Sequence, residues 1–140
     1  MKRFGSDAGN VIVEFIGITV ALLVPLSIIA SSSILVANAY LAVDVSARTA
    51  ARAYVVSSSD LNAIRAANSA VGLVSQDFDS QNSNISVKIS CTKKPCLSPG
   101  GFVTVRVSNE VKLNIPKALG SRSVFVSSQH TAVVDELRAP

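Results

Sequence analysis

At 140 residues, with 13 Lys and Arg against 9 Asp and Glu and a net charge of +4, the chain has room for one domain and an anchor. Its cations form no block and its aromatics, 5% of the chain, do not interleave with them, which argues against a nucleic-acid surface. Two cysteines and one histidine are too few for a four-ligand metal centre.

The apolar residues, 49% of the total, are unevenly spread. From Phe15 to Val43, between Glu14 and Asp44, no residue is charged, and this run is longer than the roughly 20 apolar residues that cross a bilayer. Small residues at Ala30–Ser33 and Ala37–Ala39 superficially fit a secretory cleavage site. Against cleavage there, the run is about twice a typical signal-peptide core and continues into an amphipathic helix. The expectation is a retained anchor over residues 10–43 and a domain over 44–140. Glu14 stands at the head of this segment. An ionisable group in mid-bilayer costs about 2.5–3.5 kcal/mol on insertion scales, so it calls for a partner or a place at the headgroups.

Helical periodicity outlasts the apolar run. Asp44, Arg48 and Arg52 follow one another at i, i+4, with the acid first, the favourable order. Val43, Ala47, Ala50 and Tyr54 line another face, whose small residues permit close helix packing. One helix is therefore predicted from about residue 11 to about 56, loosened near Pro25, which lacks a backbone donor. Ser59 or Asp60 then caps a second helix, with an apolar stripe of Leu61, Ile64, Ala67, Val71, Val74 and Phe78. "DSQNSN" ends it as a polar loop.

Beyond the loop the period becomes two. Ile85, Val87, Ile89 and Cys91 share a face, and so do Val103, Val105, Val107, Val111, Leu113 and Ile115, interrupted by Asn109. Between them "SPGG" at Ser98–Gly101 signals a turn, and Pro116 stops the second strand. A third strand is predicted within Ser123–Leu137, with weaker alternation. The fold class is α+β: a long N-terminal helix, a short helix and an antiparallel sheet of about three strands. Cys91 and Cys96 have the wrong spacing for a redox dithiol and read as a disulfide, which would place the domain outside the cytoplasm. His130 has no acid or nucleophile beside it in sequence and reads as an exposed strand residue. With no phosphate loop, nucleophile elbow or carboxylate cluster, the chain is expected to have no catalytic residue, no metal and no cofactor.

The stretch "AGNVIVEFIGITVALLVPL" resembles a type IV prepilin processing site: a glycine, four uncharged residues, a glutamate, a phenylalanine, then an unbroken membrane helix. The resemblance implies cleavage by a membrane aspartic peptidase between Gly9 and Asn10. The leader Met1–Gly9 would hold Lys2 and Arg3 in the cytoplasm, in keeping with a positive inner flank. Glu14, then the fifth mature residue, would pair with the freed amino group of Asn10 on a neighbouring subunit, with Phe15 beside it in the assembly contact. Over nearly the whole chain the sequence is similar to the TadE-like minor pilins of the tight-adherence pilus, through "GNVIVEF", "VDVSARTAARAYVV" and the closing "HTAVVDEL". Pro25 lies further from the glutamate than is usual there, and the cysteine pair is mid-chain, unlike that of a major pilin. The resemblance implies a pseudopilin in the cytoplasmic membrane, its domain outside, incorporated into a pilus on assembly. Its partners would be the prepilin peptidase, the assembly platform, membrane lipid and other pilins, met through residues 10–15 and the Ala47, Ala50, Tyr54 face. The rival readings are a pseudopilin of a type II secretion or other type IV pilus machine, and a signal-anchored envelope binding module with no filament role.

Overall fold

The long apolar run and the charged helix after it form a single element, α1, Ala8–Val55, with Pro25 inside it. Its 48 residues give a length of about 72 Å. The computed structural model describes residues 8–78, 84–113, 115–116 and 120–137. Residues 1–7 of the leader and the loop at 79–83 lie outside the described residues.

A second helix, α2, runs Asp60–Asp77, and Ser59 is its N-cap: the backbone there is extended and Oγ accepts from the Asn62 N–H at 3.4 Å. Three strands follow, β1 Asn84–Cys91, β2 Phe102–Lys112 and β3 Ser123–Val133, in the order β1-β2-β3 with both pairings antiparallel. The fold is α+β, as the change of period from about 3.6 to 2 foretells. β2, β3 and α2 all pack on α1, so the upper part of the long helix is the shared partner of the domain. Val43, Ala47, Ala50 and Tyr54 are buried there together with Ala39, Ala42 and Ala51, and Val103, Val105, Val107 and Val111 meet them from the sheet.

Several expectations are corrected. The packing of the domain reaches below residue 44: Ala39, Ala42 and Val43 are buried and Val36 packs against the core, so the charge-free run meets protein before it ends. Absence of charge marks residues that avoid water, and an alanine against a protein core does so as well as one against lipid. The stripe on α2 is also displaced. Leu61 is 60% and Ile64 44% exposed, while Ala63, Ala67, Ala70, Val71 and Val74 are buried. The α1 surface that α2 packs on is rich in alanine, so close approach selects small residues in α2 and leaves the larger ones at the margin.

β2 ends at Lys112, short of Pro116. Leu113 N–H still donates to the Arg122 carbonyl at 2.8 Å, but the Ile115 N–H turns back to the Leu113 carbonyl at 3.0 Å. Ile115 thus leaves the ladder, and both residues border a space shared with α1. His130 is half-buried on the inward side of β3, in register with Val105. It shares that side with Ser128, so polar residues break the alternation that would have marked this strand in sequence.

Candidate functional site

Three features of α1 bear on function: its free lower part, the root where it enters the domain, and the space beside that root. Gly9 and Asn10 lie in the first turn, where helix N–H groups lack intrahelical acceptors and opening is least costly. Glu14 is exposed among exposed apolar neighbours, Phe15 at 70%, and has no ion-pair partner among the described residues. It is the only charged residue from Ala8 to Val43. The hydroxyls of Ser27, Ser31 and Ser33 turn back onto the carbonyls of Val24, Ile28 and Ile29 at 2.8, 3.0 and 2.9 Å. These side chains therefore place no unpaired donor on the helix surface. α1 is long and apolar enough to cross a membrane, which fits a single-pass membrane protein.

The root of the helix is held by Asp44. Its Oδ1 accepts from Ser128 Oγ of β3 at 2.8 Å, and its Oδ2 faces Arg48 Nη2 at 3.1 Å. Sequence spacing foretells the Arg48 pair and gives no hint of Ser128, which lies 84 residues away. The predicted packing face of Ala47, Ala50 and Tyr54 is used inside the chain. These residues are buried against the chain's own core, so this face is not open to a helix of another subunit.

At the far end of the domain Cys91 and Cys96 form a disulfide, with Cα atoms 5.3 Å apart. It closes the first part of the β1–β2 connection. The rest of that connection is tied by the Lys93 ammonium donating to the Pro99 carbonyl at 2.9 Å, and by Gly100 and Gly101, which exchange backbone hydrogen bonds with Val134 at 3.1 and 2.8 Å. Gly100 has φ of 65°, where a side chain is strained, and a Cβ at Gly101 would stand 2.9 Å from the Ser98 carbonyl oxygen. The turn that "SPGG" signals is thus also the dock for the C-terminal strand's last residues.

The feature that sequence reasoning missed is an apolar groove of 720 Å³ beside the root. Ile29, Val36 and Tyr40 of α1 form one wall, and Leu113, Ile115 and Val124 at the open end of the sheet form the other. The only signal was the apolar pair Leu113 and Ile115 beyond the strand's end. Among the described residues no group of three or more His, Cys, Asp or Glu side chains could hold a metal ion. Comparison with known protein families, curated proteins and solved structures finds no match to the chain.

Proposed function

We propose that this chain is a structural pseudopilin, a membrane-anchored minor subunit of a tight-adherence pilus that is processed after Gly9. The observation that carries the reading is Glu14, the one charge from Ala8 to Val43, exposed and without an ion-pair partner among the described residues, five residues after a glycine in the first turn of an apolar helix. A carboxylate so placed gains most from a cation that arrives with another subunit, since lipid supplies no water to solvate it. Cleavage after Gly9 would create that cation at Asn10 and make assembly depend on maturation. The domain, rooted on α1 through Asp44, would then be carried with the helix into the filament.

The test is the N-terminal sequence and intact mass of the full chain from membranes, with and without a prepilin peptidase. The expected product starts at Asn10, only when the peptidase is present, and Gly9→Val blocks its formation. A chain that keeps Met1 in both conditions would overturn the reading in favour of an anchored module with no filament role.

A further inference from the structure

The groove beside the root of α1 lies at a particular height. From Phe15, the first residue of the charge-free run, a helical rise of 1.5 Å per residue puts Ile28 about 20 Å along the axis and Tyr40 about 38 Å along it. A bilayer's hydrocarbon core is about 30 Å thick and its headgroup layers bring the total to about 40–45 Å. With Phe15 taken as the inner edge of the hydrocarbon and α1 as upright, the groove straddles the boundary between hydrocarbon and headgroups on the domain's side.

Its composition suits that height. The walls named above are apolar, and Tyr40, half exposed at the upper lip, stands at the depth where tyrosine is enriched in membrane proteins. One exposed cation flanks the sheet side: Arg122, just before β3, whose carbonyl accepts the Leu113 N–H. Phe125, on the opposite face of β3 from Val124, is 75% exposed at the same end of the sheet. β3 rises from this end: Val124 lines the groove and Ser128 reaches Asp44 further up the helix. The disulfide end of the sheet points away.

We propose that this groove holds an acyl chain of a phospholipid from the leaflet beneath the domain, with Arg122 facing its phosphate, so that the domain rests on the bilayer. The inference rests on α1 spanning the membrane and does not require a pilus. An apolar groove open to water would be costly, whereas at the hydrocarbon edge lipid is present at high local concentration.

The chain contains no tryptophan, so a single introduced one reports its own surroundings. The full chain would be placed in vesicles of phosphatidylethanolamine and phosphatidylglycerol carrying bromine on their acyl chains. Val124→Trp and, as a second placement, Ile115→Trp report on the groove; Phe102→Trp reports on the distal end and Leu22→Trp on the span. The expected result is quenching at 124 and 115 comparable to that at 22, and at least about twofold stronger than at 102, given the depth limits of the hydrocarbon layer. Quenching at 22 alone overturns the groove proposal and leaves the membrane span standing. No quenching at 22 overturns both. Blue-shifted but unquenched emission at 124 and 115 means that protein fills the groove, a second copy being the first candidate, and this too overturns the lipid assignment.

Discussion

Asp44 joins two parts of the molecule that are far apart in sequence. Its two oxygens divide the work, one toward Ser128 on β3 and one toward Arg48 a turn along α1. The two contacts should differ in value. Arg48 is 61% exposed, so its pair is screened and Arg48→Ala should cost no more than about 0.5 kcal/mol. The bond from Ser128 is partly buried and reaches a carboxylate, so Ser128→Ala and Asp44→Ala should each cost about 1.5–3 kcal/mol, with the double variant far from additive. Thermal unfolding of the four variants beside the unsubstituted chain in detergent checks this; equal losses for Arg48→Ala and Asp44→Ala would mean that the sheet contact adds nothing. Glu14 is the opposite case, with no ion-pair partner among the described residues to lose. Glu14→Ala should leave cleavage and domain stability unchanged and reduce recovery in sheared pili, and full incorporation would remove the carboxylate's proposed role. Local spacing made the Arg48 pair legible in the sequence. Ser128 was not, because nothing in a linear pattern gives the register of β3 against α1.

Among the elements, periodicity identified every helix and strand of the described residues but misassigned one face. On α2 the large apolar residues drew the stripe through Leu61 and Ile64, whereas packing is decided by how near the alanine-rich surface of α1 can come. The consequence is an inverted pattern of sensitivity. Ala67→Leu, fully buried against α1, should overpack the interface and cost about 1–3 kcal/mol. Leu61→Ala, largely exposed, should change stability by no more than about 0.5 kcal/mol. Denaturant titration of both variants separates the two accounts, since a core role for Leu61 would reverse the order. The disulfide belongs to this scale as well. It closes a short loop at one end of β1, so replacing both cysteines by serine should cost about 2 kcal/mol and leave the strand pairing intact. Spacing made that bond legible; the Lys93 and Val134 contacts that complete the dock were not, because they depend on how a connection folds back on itself.

At the scale of the whole molecule, the boundary between anchor and domain decides how the two can be separated. A charge count puts it at Asp44, and burial puts it near Val36. The difference is about two turns of helix, in which Val36, Ala39, Ala42 and Val43 face protein. A soluble fragment beginning at Ser33 keeps Val36, Ala39, Ala42 and Val43; one beginning at Asp44 lacks all four and opens the core beneath them. Burying a valine side chain contributes about 1.5–3 kcal/mol. Val43 is almost wholly buried, and the alanines add to the loss. A domain of this size has a total stability of only about 5–15 kcal/mol, so the loss is a large share of it. At roughly 4–8 °C per kcal/mol for a small domain, the Asp44 fragment should melt about 10 °C or more below the Ser33 fragment. It should also bind more of a hydrophobic dye, because β2 and β3 would expose valines that α1 normally covers. Equal melting temperatures would return the boundary to Asp44 and make the lower alanines part of the anchor. The expected gap instead makes α1 an element shared by two environments, lipid below and protein above, with the groove where one gives way to the other.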